Sequence, residues 1–311
     1  MATIPTIAEA ARLIAAKELS PVELTRACLD RVQALDGRLH AFVHLTEERA
    51  LAEARAAEAA IMAGGPKGPL HGIPIGLKDI VDTKDIPTTC QSKILQDNIP
   101  DADATCAELL AAAGTVLIGK TTTHEFADGG PSFDLPRPPA RNPWDTGHFT
   151  AGSSSGTGAG LAAGLILGGI GTDTGGSIRG PAALCGIAGI KPTYGLVSRA
   201  GVAPAAFSLD HIGPMAWTAE DCALLLQALA GHDPRDPASA ARPVPDYTAA
   251  LGRASRGSRS ASSTISTRSI TRSATAQGAA STGRSPPCTI SAPRSARCSW
   301  RRCRIGAPAA R

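Results

Sequence analysis

The sequence predicts an α/β domain built round a buried sheet, and three observations point there. Helical segments with clear start signals alternate with short apolar runs along residues 1–251. Those runs are continuously apolar rather than alternating, as in strands covered on both faces. With 311 residues, 43% of them hydrophobic, the chain can bury a sizeable core.

Each element has a local reason. Thr6-Ile-Ala-Glu9 is a capping box that opens a helix to about Glu18. Ser20-Pro-Val-Glu23 repeats the pattern, with Pro21 at the first helical position, for a helix to about Leu35. Residues 39–45 read as a strand. Thr46 starts an alanine-rich amphipathic helix that stops at Gly64-Gly65. Residues 73–77 and 80–83 read as short strands on either side of Lys78. A helix over 102–113 leads into a buried strand at 115–118, and 131–143 is a proline-rich extended loop. Residues 157–167 are expected to be helical, 168–172 a strand edge, and 178–185 the start of another helix. Thr218 caps a last amphipathic helix over 219–230.

Charge divides the chain in two. Residues 1–251 carry 19 Lys and Arg against 27 Asp and Glu, a net of −8; residues 252–311 hold 12 Arg, 13 Ser, no lysine and no acidic residue, a net of +12. The overall +4 therefore describes no single basic face that would attract nucleic acid. Residues 252–311 read as an Arg/Ser-rich tail with too little apolar surface to offset chain entropy, and hence as disorder. The abruptness of the switch, in mid-domain after a well-patterned helix, favours an out-of-frame translation of a GC-rich coding region. A basic nucleic-acid-binding arm is disfavoured, since Trp300 is the tail's one aromatic residue.

Cysteine usage and leader signals bear on compartment. Cys28, Cys90, Cys106, Cys185 and Cys222 are widely spaced and odd in number, which fits free buried thiols in a reducing compartment. The N-terminal residues show no signal-peptide pattern. The longest apolar run, Gly158 to Gly171, is 14 residues and glycine-rich, too short to span a bilayer. The expected location is the cytoplasm, without membrane contact.

The chemistry concentrates in AGSSSGTGAGLAAGLILGGIGTDTGGSIRGPAALCG, residues 151–186. Ser153 and Ser177 are both flanked by glycine, which lets the backbone turn sharply and brings bare N–H groups near a reacting atom. Lys78 stands upstream in HGIPIGLKDI, among Ile73, Ile75, Leu77 and Ile80. Burial there would disfavour its charged form and make it a base. An amide is a poor electrophile, so its hydrolysis needs an activated nucleophile, a base and donors for the oxyanion. Ser177 is the candidate nucleophile, Ser153 the hydroxyl between nucleophile and base, and Lys78 the base. The N–H groups of Thr174, Gly175, Gly176 and Ser177 form the candidate oxyanion nest, ahead of a helix start that also favours negative charge. Asp173 and Arg179 are expected to pair or to bond the loop backbone.

The segment from Gly72 to Asp79, the serine-glycine turn and GTDTGGSIRGPAALCGIAGIKPTYG resemble the amidase signature family. The resemblance runs from about Ile4 to Leu251 and includes the RNPWD box at 141–145. It implies the amidase-signature fold, a mixed central sheet covered by helices on both faces, with the C-terminal part missing here. It also implies a Ser–cis-Ser–Lys triad: Ser177 acylated, Ser153 bridging and preceded by a cis peptide bond, Lys78 the general base. The loop TTTHEFADGG is implied to line the substrate pocket, through Glu125 and Phe126. Ala151 departs from the family's usual glycine.

On this resemblance the expected activity is hydrolysis of a carboxylic amide C–N bond through an acyl-enzyme, without metal or organic cofactor. The partner is a small-molecule amide, and a homodimer is open. The alternatives are the glutaminase (A) subunit of a tRNA-dependent amidotransferase, with partner subunits and tRNA, and a truncated, inactive fragment. The seven histidines show no metal-ligand spacing. Gly114 to Thr121 matches the phosphate-loop pattern, but a helix precedes it and TVLI is itself strand-like. It therefore reads as a buried strand with Lys120 structural.

Overall fold

The computed structural model describes residues 4–249 and 251. The described residues belong to one compact unit, and the expected tail, 252–311, lies outside them.

Two helices open the chain, α1 (Ile7–Ala15) and α2 (Pro21–Leu39), then β1 (Phe42–Leu45) and α3 (Glu47–Gly64). Next come β2 (Pro74–Lys78), α4 (Thr105–Ala112), β3 (Val116–Thr121) and a short hairpin, β4 (Arg141–Asn142) with β5 (Asp145–Phe149). Then follow α5 (Ser155–Ala162), β6 (Gly168–Asp173), α6 (Arg179–Cys185), β7 (Ala188–Gly189), β8 (His211–Ala216) and α7 (Ala219–Leu229).

The main sheet runs β1-β3-β2-β6-β8-β7 and is mixed. β2 pairs parallel with β3 and β6, while β1–β3, β6–β8 and β7–β8 are antiparallel. Every residue of β2, β3 and β6 is buried, as continuously apolar strands between helical layers should be. Aliphatic side chains such as Ile73, Ile75, Ile118, Leu161, Ile166 and Ile170 fill the core on and beside these strands.

Local signals act as expected at the helix starts. Thr6 Oγ1 accepts the Glu9 N–H while Glu9 returns a bond to the Thr6 N–H. Ser20 Oγ accepts the N–H groups of Val22 and Glu23. Thr218 Oγ1 accepts the Asp221 N–H.

Glycine does a different job in α5. A Cβ on Gly156 would come 2.2 Å from the Ala41 carbonyl and 2.4 Å from the Thr122 nitrogen. The glycine-rich stretch is thus a packing surface held against the sheet rather than a flexible linker.

Several boundaries differ from the expected ones. Residues 80–83 form no strand, because the Lys78 carbonyl accepts the N–H groups of both Ile80 and Val81 and turns the chain. α2 passes through Gly37 and ends at His40, in the left-handed region. The helix expected over 157–167 is shorter and starts earlier, since the chain turns at Gly164 with φ 68°. The proline-rich loop gives way to the β4–β5 hairpin, and β8 is a strand that the sequence pattern does not mark.

Candidate active site

Lys78 ends β2, and β2 lies between β3 and β6, so its side chain is placed by the middle of the sheet. The amine is fully buried and reaches two hydroxyls, Ser153 Oγ at 2.7 Å and Thr172 Oγ1 at 2.7 Å. Burial pushes its pKa down from 10.5 to about 7, with Asp173, Asp210 and the Cys90 thiol pulling the other way. A lysine so placed exchanges its proton near neutral pH.

Ser153 sits in the turn that starts α5, and the peptide bond from Gly152 to Ser153 is cis. Ala151, just before it, has φ 59°, a left-handed conformation that glycine adopts more readily. The Ser153 carbonyl accepts from the His124 N–H (3.2 Å) and the Ser155 N–H (2.8 Å). Ser154 ties the turn to β6: its Oγ accepts the Thr172 N–H at 3.2 Å. The Ser154 N–H reaches the Ser177 carbonyl at 3.3 Å, so the two serine segments lie side by side.

Ser177 is half-buried in the loop between β6 and α6. That loop is organised by Asp173, whose buried carboxylate accepts the N–H groups of Gly176 (2.8 Å) and Ile178 (3.2 Å). The Arg179 guanidinium grips both Asp173 oxygens at 2.9 Å. Burial alone would raise the Asp173 pKa, but Arg179 and the loop N–H groups outweigh it and hold it at about 2. Asp173 and Arg179 thus shape the loop.

One member of the expected oxyanion nest has a hydrogen bond of its own in this structure. The Gly176 N–H is already committed to Asp173, because a buried carboxylate collects the nearest donors. That leaves Thr174, Gly175 and Ser177. The Thr174 hydroxyl donates to Asp210, which also accepts the Ala205 and Ala206 N–H groups.

Glu125 and Phe126 lie in a 3-10 turn after β3, Glu125 half-buried and Phe126 38% exposed. Their loop reaches the site through other residues. Thr123 and His124, with Gln91, Phe149 and Thr150, line a small cavity beside the Ser153 turn, and Glu125 and Phe126 do not border it. A second cavity of about 230 Å³ lies behind Thr172, walled by Ile80, Val202, Phe207 and Ile212.

Lys120, in β3, is fully buried and donates to the Val81 carbonyl at 2.6 Å and to Thr88. It is part of a buried strand and not of a phosphate loop. Among the described residues, no group of three or more His, Cys, Asp and Glu is placed to hold a metal ion. No helix of the described residues is long and apolar enough to cross a membrane. Sequence reasoning missed Thr172, Asp210 and His124 as site residues. Thr172 and His124 stand inside segments already singled out, but only the fold shows what they touch.

Comparison with known proteins places this geometry. The family model described as Amidase matches residues 23–277, past the Leu251 at which the motif resemblance stops. The chain is 53% identical over 254 residues to the A subunit of glutamyl-tRNA(Gln) amidotransferase from Chloroflexus aggregans, covering 82% of this chain and 52% of that protein. Among solved structures, peptide amidase from Stenotrophomonas maltophilia aligns with a TM-score of 0.72 at 40% identity, over 78% of this chain and 51% of that one. The A subunit of the Thermotoga maritima glutamyl-tRNA(Gln) amidotransferase aligns at 0.67 and 37%, over 77% and 50%. The chain spans about half the length of the curated relatives it matches.

Proposed function

The chain belongs to the amidase family, and from that premise we propose that it hydrolyses a carboxylic amide C–N bond through an acyl-enzyme on Ser177. The observation that carries this is the buried Lys78 amine at 2.7 Å from Ser153 Oγ, in a loop system that also holds Ser177. In its neutral form the amine donates to Thr172 and turns its lone pair toward the Ser153 hydroxyl. Ser153 then passes its proton to Lys78 while accepting one from Ser177, whose oxygen attacks the amide carbon. The N–H groups of Thr174, Gly175 and Ser177 meet the developing oxyanion. The proton returns from Lys78 through Ser153 to the leaving amine, and water then repeats the cycle to release the acid. Glu125 and Phe126, on the loop after β3, are assigned to the more distant part of the substrate. The cytoplasm is the compartment this reading assumes.

Identity of 53% to an amidotransferase subunit favours a second reading at the same site: a glutaminase subunit that releases ammonia from glutamine and works with partner subunits and tRNA. Both readings share one acyl-enzyme and differ in acyl group. The test is labelling of the full chain with a serine-directed fluorophosphonate, followed by hydrolysis of simple amides and of glutamine. Labelling that disappears in Ser177→Ala supports the site; preference for glutamine supports the second reading. Soluble protein that takes no label would point to an inactive fragment and defeat both.

A further inference from the structure

His124 is not among the residues to which the triad logic assigns work, yet it lies against the Gly152–Ser153 turn. The residue is buried, and its N–H donates to the Ser153 carbonyl at 3.2 Å. Its ring fills the space above Gly152: a Cβ placed there would fall 2.1 Å from His124 Cε1 and 2.2 Å from Nε2. The ring therefore covers the residue that leads into Ser153, and it borders the small cavity shared with Gln91, Thr150 and Ala151.

We propose that His124 is a positioning residue, whose ring braces the Gly152–Ser153 turn and closes that side of the Lys78 amine to water. This rests on the reading of Lys78 as the base. Among the described residues, Asp173 from the end of β6, Asp210 ahead of β8 and the Cys90 thiol act electrostatically on Lys78, and Lys78 acts on His124 after β3. The Lys78 charge acts on His124 in turn, and the Gly129 main chain works the other way, favouring the charged ring. Burial and the Lys78 charge both lower the imidazole's pKa, so it stays neutral where the amine must lose its proton. A neutral ring excludes water without adding a second cation. An alanine here would open a path for water, and hydration favours the ammonium form.

The experiment follows the Lys78 Nζ titration directly, by NMR of the full chain labelled with ¹³C in its lysine side chains. The Lys78 signal is assigned by its loss in Lys78→Arg. In His124→Ala the midpoint is expected to rise from about 7 by about half a pH unit or more. In His124→Phe, which keeps the volume and discards the imidazole, it stays near the starting value. If His124→Phe does not fold, His124→Gln is read in the same way. The rate of fluorophosphonate labelling at Ser177 is expected to fall about tenfold in His124→Ala and to recover in the volume-keeping variant. A midpoint unmoved in His124→Ala, or a wild-type amine titrating in the ordinary lysine range, overturns the proposal. Failure of the wild-type chain to label tells against the amidase reading alone, and the titration still decides the role of His124.

Discussion

The Lys78 amine and the Ser153 hydroxyl lie 2.7 Å apart, and neither is open to solvent. In a pair this dry the proton's position depends on how badly the amine tolerates charge. Lys78 is brought to about 7, so the ammonium form dominates below that pH and cannot accept a proton. Amide hydrolysis by the full chain is thus expected to rise with pH through a midpoint near 7 and to fall about tenfold per pH unit below it. A rate constant that is flat from about pH 5 to 9 would remove Lys78 from the role of base.

The two serines are expected to differ in what their loss does. Ser177→Ala removes the atom that would be acylated, so covalent labelling vanishes. Ser153→Ala keeps the nucleophile and breaks the proton route, slowing acylation by about 10²–10⁴. Labelling rates on the two variants, read with the wild type, separate these outcomes. Labelling that persists in Ser177→Ala, with folding intact, would place the nucleophile elsewhere.

Arg179 offers a test of loop order through acid stability. Asp173 is held at about 2, below its ordinary 3.8, so the folded state binds fewer protons than the unfolded chain between those values. Its contribution to stability is fully present above 3.8 and is lost as pH falls toward 2. In Arg179→Met the carboxylate loses its bidentate partner and its pKa rises, so a smaller contribution is present above 3.8 and less of it is left to lose in acid. Urea midpoints measured from about pH 3 to 6 should therefore lie furthest apart between variant and wild type above about pH 4 and approach each other on the acid side.

What can be read in the sequence follows how local each cause is. The caps at Thr6, Ser20 and Thr218 depend on residues within three positions and stand as expected. Ser153, Ser177 and Lys78 stand out because glycines crowd round both serines and a lysine interrupts an apolar run. β8 is not legible, since Gly213-Pro214 reads as a break. Pro214 sits opposite Ile170, and its carbonyl accepts the Ile190 N–H. Residues 80–83 mislead in the opposite sense: with β-branched Ile80, Val81 and Thr83 they look like a strand, and one carbonyl turns them aside. Thr172 and His124 lie in segments the sequence marks, but nothing local distinguishes them from their neighbours. Thr172 meets Lys78 across 94 positions, and His124 covers Gly152 only once β3 and α5 are packed.

Gly156 is expected to tolerate no side chain. The methyl of Gly156→Ala would meet main-chain atoms of Ala41 and Thr122 rather than the movable tip of a side chain. Relief needs α5 to shift off the sheet, at a cost of about 3 kcal/mol. Chemical denaturation is the measure, and a cost below about 1 kcal/mol would mean the helix can slide.

Ala151 gives the opposite expectation. Its φ of 59° puts an alanine in a region that costs about 1–2 kcal/mol for a residue with a Cβ. Glycine escapes that cost but brings about 0.5–1 kcal/mol of extra chain entropy to the unfolded state. Ala151→Gly should therefore gain about 0.5–1 kcal/mol, read as a higher urea midpoint with an unchanged slope. The turn keeps its shape, so labelling of Ser177 should stay within about twofold of wild type, since nothing that touches the reacting atoms has moved. A drop in stability would show that the Ala151 methyl, which faces Gly180 at the start of α6, contributes more by packing than it costs in backbone strain. In that case the departure from glycine would be compensated within the fold. The double variant Ala151→Gly with Gly180→Ala would then recover part of the loss by filling the same gap from the other side.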